Sequence, residues 1–330
     1  MDPIDFRLVN EFQRDFPLLP RPFAELARRT GSSEDAVIAA LRRLRGEGVI
    51  SRVGAVFSPR RIGASTLAAL AAPAERLEQI AARISARPEV NHNYEREHAF
   101  NLWFVVTAAD EAGLARALAE IERDSGCKVI SLPLEHEFHI DLGFDLAGVC
   151  KARSSERRVD EDAPRSLDES ERRLLAVLQH GLELVPRPFA RLGEEAGLDE
   201  WQVIALLERW HEEGLIKRFG VVVRHHELGY IANAMVVWDL PDDAVERAGK
   251  LLAAQSEVTL CYRRRRHLPE WPYNLFCMIH GRARGEVEAA VAGLRQRLGL
   301  QQAPHAVLFS RRRFKQRGAH YLSRTEAVHG

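Results

Sequence analysis

The 330-residue sequence predicts an α+β fold written twice, each copy joining a winged helix-turn-helix to a ferredoxin-like βαββαβ unit. The first observation is an internal repeat, because the segment Pro20–Leu26 (PRPFAEL) recurs as Pro186–Leu192 (PRPFARL). Farther along, Tyr94 matches Tyr262 after an insertion of only two residues. The second observation is that each copy changes from helical apolar spacing to alternating strands and helices.

The predicted domain boundaries follow this repeat. A linker is indicated between the copies by a polar, charged stretch without periodicity. The five segments are a helix-turn-helix at 1–60, a βαββαβ unit at 61–148, the charged linker at 149–170, a second helix-turn-helix at 171–226 and a second βαββαβ unit at 227–330.

The helix-turn-helix of the first copy is predicted from apolar spacing and helix end signals. Helices are expected near Asp5–Arg14, Phe23–Thr30 and Ser33–Glu47, the last beginning at a serine cap and ending before a glycine. The run Ile50–Phe57 has strand character and is expected to form the wing.

Each βαββαβ unit is predicted from strand-like runs that alternate with amphipathic helices. In the first copy we expect strands at 64–73, 88–98, 100–107 and 128–141, with helices at 74–87 and 110–124. In the second copy we expect strands at 230–240, 256–266, 273–280 and 305–315, with helices at 241–255 and 284–298.

Composition excludes several classes of protein. Hydrophobic residues make up 46% and charged residues 28%, which is typical of a globular chain, and no run approaches the ~18 apolar residues of a spanning helix. The four cysteines form no CxxC pair, so the spacing indicates neither a structural zinc site nor a redox dithiol. The acidic start lacks the order of a secretory signal, so we expect a cytoplasmic protein with no membrane partner.

A helix-turn-helix followed by βαββαβ resembles the AsnC/Lrp family of transcription regulators, which makes DNA binding the first alternative. The third helix of the second copy, 199–213, carries five acids against one arginine, so a phosphate backbone would repel it. The first-copy helix is neutral and has few Asn or Gln side chains to read bases. The sequence therefore predicts no nucleic-acid partner.

Cationic, aromatic and histidine side chains concentrate on the second and third strands of each βαββαβ unit, and the last strand of the second copy adds further arginines. Residues 1–150 hold 18 Lys and Arg against 22 Asp and Glu, whereas residues 171–330 hold 24 against 19. Alternation places His92, Tyr94, Arg96 and His98 on one strand face. In the second copy, arginines 263–266 and 311–313 are expected to share one sheet and to bind an anion with many negative groups. Nucleic acid, polyphosphate, polycarboxylate and a merely solvated basic surface are the alternatives.

Three segments give a more specific resemblance. Residues 16–23 (FPLLPRPF), 93–104 (NYEREHAFNLWF) and 262–267 (YRRRRH), within a doubled helix-turn-helix and βαββαβ chain, resemble the siroheme decarboxylase family. The likeness is to the form that joins the two related subunits of the heme d1 pathway of denitrification. The resemblance implies conversion of siroheme to 12,18-didecarboxysiroheme, with two acetate carboxyls lost as CO2, in a scaffold that no longer regulates transcription. It also implies essential histidines in the βαββαβ region.

The chemistry of that reaction suggests roles for the residues. A flat macrocycle with a rim of carboxylates suits arginine clamps and aromatic contacts, and the carbanion left by CO2 needs a general acid near neutrality, such as histidine. We predict His98 and His267 as proton donors or contacts to the substrate iron, with His92 the next candidate; a hairpin histidine with a local hydrogen bond is the alternative for each. The predicted substrate-binding residues are Tyr94, Arg96, Asn101, Trp103, Tyr262, Arg263, Arg264, Arg265, Arg266, Trp271, Asn274, Arg311 and Arg313, and Arg312 is a further clamp candidate.

The same interpretation sets expectations for cofactors and partners. No cofactor is required, because the iron belongs to the siroheme substrate, and no metal site of the chain's own is expected. The two copies are expected to pair with each other and to form one productive site across a pseudo-twofold interface. A homodimer or association with other proteins of the pathway, and a tetrapyrrole carrier without catalysis, are alternatives.

Overall fold

The computed structural model describes residues 2–140, 165–223, 232–318 and 321. Most of the predicted linker therefore lies outside the described residues. The order of elements in the described parts follows the sequence prediction for both copies.

The described residues of the first copy form six α-helices and five strands, and the third helix begins at the predicted serine cap. The Ser33 side chain accepts a hydrogen bond from the Ala36 N–H at 3.2 Å, and Gly31 ends the second helix with a left-handed φ of 71°. The elements are α1 (Pro3–Glu11), α2 (Pro22–Thr30), α3 (Glu34–Gly46), β1 (Ile50–Phe57), α4 (Pro59–Ile62), β2 (Ala64–Leu70), α5 (Leu77–Ala86), β3 (Val90–Arg96), β4 (Leu102–Ala108), α6 (Glu111–Ser125) and β5 (Val129–Ile140).

The second copy repeats this order within the described residues, and Asp168 and Asp199 each form a capping box at the start of a helix. The short helix α4 is the one element of the first copy that the sequence analysis did not predict. The second-copy elements are α7 (Glu169–Leu178), α8 (Pro188–Ala196), α9 (Glu200–Glu212), β6 (Ile216–Val223), β7 (Ala232–Trp238), α10 (Val245–Ala253), β8 (Val258–Arg264), β9 (Leu275–Gly281), α11 (Arg284–Arg297) and β10 (His305–Gln316).

The strand that was predicted to form a wing pairs instead with a strand of the other copy. Strand β1 does not fold back within its own copy but pairs antiparallel with β6, with Gly54 opposite Gly220. Helices from both copies surround this two-stranded sheet in one hydrophobic cluster that includes Phe23, Leu41 and Trp210. The two helix-turn-helix units thus share a single core.

The two βαββαβ units close into one eight-stranded barrel with the order β10-β3-β4-β2-β5-β8-β9-β7. Strands β5 and β10 close it, because each is 12 residues long and pairs with both copies. The first half of β10 pairs with β7 and its second half with β3, whereas β5 pairs with β2 and then β8. We call the β10–β3 and β5–β8 junctions the two seams.

Helices cover the outside of the barrel, and a separate apolar cluster occupies its centre. The outer clusters lie under α5 and α6 in the first copy and under α10 and α11 in the second. The central cluster brings together inward side chains of both copies, including Trp103, Trp271 and Phe276. The barrel interior therefore belongs to both copies.

The two arginine runs share one sheet, as the sequence predicts, but they lie far apart in it. Strands β8 and β10 are at opposite edges of the four second-copy strands, whose order is β8-β9-β7-β10. Arginines 263–264 therefore lie at the β5–β8 seam, whereas arginines 311–313 lie at the β10–β3 seam.

The close approach of the first-copy chain to β6 predicts a stability difference between two glycine variants. A Cβ on Gly220 would lie 2.5 Å from the Gln13 carbonyl oxygen, whereas a Cβ on the helical Gly46 would meet nothing within 4 Å. We expect Gly220→Ala to lower the free energy of unfolding by about 1–3 kcal/mol or more, because backbone must move. Gly46→Ala is the matched control and should leave stability unchanged or raise it by up to about 1 kcal/mol. Thermal unfolding followed by circular dichroism measures both, and equal melting temperatures would contradict the packing described.

Candidate functional site

Strand alternation decides which side chains of β3 face the barrel interior. The Asn93 amide donates to the Ala81 carbonyl oxygen on α5 at 3.1 Å, and Glu95 accepts from Arg312, so both point outward. His92, Tyr94 and Arg96 consequently point inward, as the sequence analysis expected of that face. The predicted fourth member, His98, lies beyond the end of the strand.

Inward polar side chains from four strands meet at the β10–β3 seam. His92, Tyr94, Asn233 and His280 are only half-buried although the barrel wall surrounds them, so the fold leaves this inner face accessible. We call this set the β3–β10 cluster: His92, Tyr94, Arg96, Asn233, His280, Ser310 and Arg313.

Arg96 is the buried anchor of the β3–β10 cluster. Its Nη1 donates to the Leu308 carbonyl oxygen at 3.0 Å and lies 3.5 Å from the Asn233 Oδ1. Its guanidinium carbon lies 5.7 Å from the centre of the Tyr94 ring, within cation–π range. Burial lowers the pKa of Arg96 to about 10, so the group stays charged at neutral pH. A first-copy arginine thus holds a second-copy strand at the seam.

A chain of hydrogen bonds runs from Arg96 to His280. The Asn233 side chain joins the two, since its Nδ2 lies 3.0 Å from the His280 Nε2. The His280 Nδ1 lies 3.0 Å from the Thr259 hydroxyl, which itself donates to the Met278 carbonyl oxygen. Burial and the Arg96 charge lower the pKa of His280 to about 4. Both ring nitrogens of this neutral imidazole are therefore engaged by protein groups.

His92 lies in the same cluster with a different environment. Its ring stacks on Tyr94 with centroids 6.3 Å apart and an interplanar angle of 12°. Burial, reinforced by the positive charge of Arg52 on β1, lowers the pKa of His92 to about 4. Because Arg52 belongs to the helix-turn-helix part of the chain, that part contributes charge to the barrel site.

The β5–β8 seam carries the corresponding cluster of the repeat. Arg264 Nη1 donates to the Leu132 carbonyl oxygen at 2.9 Å, and its guanidinium lies 5.3 Å from the Tyr262 ring centre, as Arg96 does with Leu308 and Tyr94. We call this set the β5–β8 cluster: Ser65, Thr107, Leu134, Glu137, Leu260, Tyr262 and Arg264.

The two clusters differ in charge and in titratable groups. Glu137 stands where the β3–β10 cluster has Arg313, and it is ion-paired with Lys217. Thr107 and Leu260 stand in place of His280 and His92. The inward side chains described for β3, β7, β9 and the second half of β10 include two arginines and no carboxylate. The β3–β10 cluster is therefore the one suited to a polyanion.

The two predicted catalytic histidines lie on hairpins that meet at Trp271. The His98 ring contacts Trp271 with centroids 5.3 Å apart, and its Nδ1 accepts from the Phe100 N–H at 3.0 Å. Burial lowers the pKa of His98. The backbone of His267 exchanges two hydrogen bonds with Trp271, of 2.9 and 2.7 Å. The structure thus brings these two hairpins together. The bond to the Phe100 N–H is the local hydrogen bond that was the alternative role for His98.

Four other predicted binding residues make hydrogen bonds or ring contacts within the protein itself. The Asn101 side chain bonds both the N–H and the carbonyl of Ala72 at 2.8 Å, and the Asn274 side chain bonds the N–H and the carbonyl of Leu240 at 3.1 and 2.9 Å. The rings of Trp103 and Trp271 are fully buried against each other, with centroids 4.9 Å apart. The side-chain amides of the two asparagines and the rings of the two tryptophans therefore stabilise the barrel.

Most of the predicted clamp arginines point outward and pair with carboxylates of the chain. Arg263 and Arg265 contact Glu135 at 3.1 and 3.4 Å, and Arg266 contacts Asp242 at 2.7 Å. Arg311 is 59% exposed and lies 3.6 Å from Glu97, and Arg312 contacts Glu95. Of the seven arginines in the two runs, alternation and strand bulges turn Arg264 and Arg313 inward. The second-copy arginines thus supply fewer inward charges than their number indicates.

The sequence analysis missed Arg52, Asn233, Thr259 and His280. Comparing the repeats position by position gives a signal for His280, since it replaces Thr107 at equivalent places in β9 and β4. Among the described residues, no three His, Cys, Asp or Glu side chains converge as a metal site would require. Nor does any described helix have the length and apolar character needed to cross a bilayer.

Comparison with known proteins agrees with this architecture. The AsnC-like ligand binding domain family matches residues 61–139 and 227–315, and the siroheme decarboxylase NirDL-like HTH domain matches residues 5–50 and 171–217. A siroheme decarboxylase NirDL subunit of Paracoccus denitrificans (strain Pd 1222) is 50% identical over 319 residues, covering 97% of each chain. A siroheme decarboxylase of Hydrogenobacter thermophilus is 31% identical over 322 residues, covering 96% of this chain and 94% of that protein.

A solved structure extends the similarity to the whole fold. The crystal structure of the siroheme decarboxylase NirDL with an iron-uroporphyrin III analogue superposes with a TM-score of 0.71 at 26% identity, covering 98% of this chain and 95% of that one. The repeat, the shared helix-turn-helix core and these matches lead to one conclusion: the chain belongs to the siroheme decarboxylase family.

Proposed function

We propose that this chain is a carboxy-lyase that removes two acetate carboxyls from siroheme as CO2. The observation that carries the proposal is the β3–β10 cluster, an inward surface with two arginines, two neutral histidines and no carboxylate among its described members. Relatives with 50% and 31% identity are siroheme decarboxylases, and the NirDL structure contains an iron-uroporphyrin III analogue. An iron tetrapyrrole with carboxylates on its rim has the complementary charge.

The chain's own groups have two tasks in this reaction. Arg313, exposed at the edge of the barrel, binds a spectator carboxylate, while buried Arg96 and the Tyr94 ring hold the wall that the macrocycle contacts. The reacting carboxylate loses CO2, the electron pair of the broken C–C bond stays on the methylene carbon, and one proton completes a methyl group. A histidine supplies that proton, since its pKa can be brought near neutrality.

His98 and His267 stay proposed contacts of the substrate. In the present geometry Nε2 is the atom of His98 available for proton transfer, because Nδ1 is bonded to the Phe100 N–H. The chain needs no cofactor in this proposal, since the iron enters with the substrate. Cytoplasmic location, and a homodimer or association with other pathway proteins, stay predictions.

Incubation with siroheme under reducing, oxygen-free conditions tests the proposed function. We expect the product to be lighter than siroheme by the mass of two CO2 in mass spectrometry. A Soret shift on binding with unchanged mass would indicate a carrier instead. Salt-sensitive binding to duplex DNA in fluorescence anisotropy, without mass loss, would favour the regulator alternative.

Two neighbouring arginines test where the carboxylates bind. Arg313→Gln should weaken siroheme binding by about 10- to 100-fold, because an inward charge is lost from the β3–β10 cluster. Arg311→Gln is the matched control and should change the Kd by less than about threefold, since exposed outward pairs contribute little. Titration of the Soret band measures both constants. Equal losses in the two variants would place the binding surface outside the barrel.

The role of the two hairpin histidines in CO2 loss can be tested separately from siroheme binding. His98→Ala and His267→Ala should each retain a Soret shift with siroheme but lower the rate of CO2 loss by about 100-fold, the usual contribution of a general acid. Single-turnover kinetics with product detection by mass spectrometry measures the rate. Full rates in both variants would remove these two residues from the site while leaving the proposed function intact.

A further inference from the structure

We propose that Arg52, on β1 of the helix-turn-helix part, binds a carboxylate of the tetrapyrrole substrate, so that this part of the chain forms one wall of the substrate site. The inference rests on the proposed function, because the ligand is the same iron tetrapyrrole. It adds a binding residue that lies outside the barrel and that the sequence analysis did not identify.

The side chain of Arg52 lies between the helix-turn-helix core and the β3–β10 cluster. Its stem lies against the Gly181 backbone, where a Cβ would be only 2.9 Å from the Arg52 Cβ. Its guanidinium lies against Gly318, just after β10, where a Cβ would be 2.6 Å from Nη1. Burial and, next, the positive charge of Arg52 lower the pKa of His92 on β3. The guanidinium is therefore held at the β10–β3 seam, with its charge acting on the inner wall.

No carboxylate of the described residues neutralises Arg52. Its Nη2 donates to the Ala55 carbonyl oxygen at 3.0 Å, and its Nε is shielded from solvent without an acceptor in the described part of the chain. Tyr321, the ionisable side chain beside it, stays neutral because burial raises its pKa. Charged groups shielded from water are normally paired, because an unpaired one loses its hydration without compensation. Arg52 thus has donors for an anion that the described chain does not supply.

The repeat contains an equivalent arginine that the fold itself uses. Arg218 on β6 corresponds to Arg52 on β1, since each lies two residues before the paired glycines of the two strands. The Arg218 Nη1 lies 3.5 Å from the Val221 carbonyl oxygen, as Arg52 bonds that of Ala55, but it also donates to the Gln13 carbonyl oxygen at 2.6 Å. Among the described residues, Arg52 has no counterpart of this second bond. Its guanidinium is therefore not required in the same way to hold the two copies together.

The β5–β8 seam also receives a cation from the helix-turn-helix part, and there the chain supplies the carboxylate. Lys217 on β6 pairs with Glu137 of the β5–β8 cluster. At the β10–β3 seam, Arg313 takes the place of Glu137 and Ser51 takes the place of Lys217. The Ser51 hydroxyl donates to the Val222 carbonyl oxygen at 3.1 Å. One seam is thus neutralised within the protein, whereas the other keeps its cations for the carboxylates of a ligand.

The ligand chemistry that fits is a flat ring with carboxylates on more than one edge. Arg52 and Arg313 come from different parts of the chain, and a ring with carboxylates around its rim can bind both at once, which a small monoanion cannot do. Acetate and propionate side chains present the same carboxylate to Arg52. The helix-turn-helix core then has a task that does not involve DNA, because it holds this arginine at the tetrapyrrole site.

The first experiment compares Arg52→Met with Arg28→Met, which removes an exposed arginine from α2 of the same part of the chain. Titration of the Soret band of iron-uroporphyrin III measures binding without any reaction. We expect Arg52→Met to raise the Kd by about 10- to 100-fold, because methionine keeps the length of the stem but loses the charge. Arg28→Met should change the Kd by less than about threefold. A Kd for Arg52→Met within about threefold of the unmodified protein would overturn the inference.

Thermal unfolding separates a binding role from a structural one. Because Arg52 has no carboxylate partner, we expect ligand-free Arg52→Met to melt at the same temperature as the unmodified protein or higher. Saturating iron-uroporphyrin III should then stabilise the variant less than the unmodified protein. Arg52→Lys keeps the charge and should recover part of the lost affinity. A ligand-free Arg52→Met that melts more than about 4 °C lower, or does not fold, would show a structural role and contradict the inference.

A second ligand identifies which carboxylate binds Arg52. Iron-coproporphyrin III has methyl groups where uroporphyrin has acetates, and it keeps the propionates. If Arg52 binds an acetate, Arg52→Met weakens only uroporphyrin binding, whereas contact with a propionate weakens the binding of both ligands. Loss of affinity for neither ligand would refute the contact. These measurements follow binding alone, so a protein that binds through Arg52 but leaves siroheme intact would refute the proposed function and retain this inference.

Discussion

Closure of the barrel at its two seams is the constraint on which the rest of the structure depends. Neither βαββαβ unit forms a closed sheet alone, and the long strands β5 and β10 supply each copy with an edge from the other. Arg96 and Arg264 reach across the seams to the Leu308 and Leu132 carbonyl oxygens. Each seam therefore joins residues distant in sequence, and a polar inner wall forms there.

Fusion of the copies in one chain allows the two seams to differ. An assembly of identical subunits would carry the same side chains at both places. Here the Arg–Tyr contact is retained at both seams, whereas His92, His280 and Arg313 are present at one seam and replaced at the other by Leu260, Thr107 and Glu137. The shared contact belongs to the fold, and the residues that differ give the β10–β3 seam the charge that would suit an anionic ligand.

Much of the fold follows from local sequence. The helical periodicity, the capping residues and the repeat predict nearly every described helix and strand, because these signals act over a few residues. The pairing of β1 with β6 was missed, since partner choice between the copies depends on tertiary contacts. Tyr94, Arg96 and Arg313 were predicted as substrate-binding residues, and the structure places all three on the inner wall of the β10–β3 seam; their role in binding stays a prediction.

The remaining errors have a physical origin. A run of four arginines indicates a high density of positive charge, but it does not show on which side of the strand each side chain lies. Alternation and bulges turn Arg263 and Arg265 toward Glu135, outside the barrel. The contact of His280 with Asn233 involves residues 47 positions apart, and the charge of Arg96 acts on His280 across a seam, so sequence spacing could not show either. Arg52 comes from a different structural unit.

A structure of this chain with bound siroheme would test the account most directly. We expect one macrocycle per chain, with a rim carboxylate at Arg313 and the ring against the wall that Tyr94 and Arg96 form. A macrocycle placed at the β5–β8 seam, or on the outward arginines of β8, would contradict it.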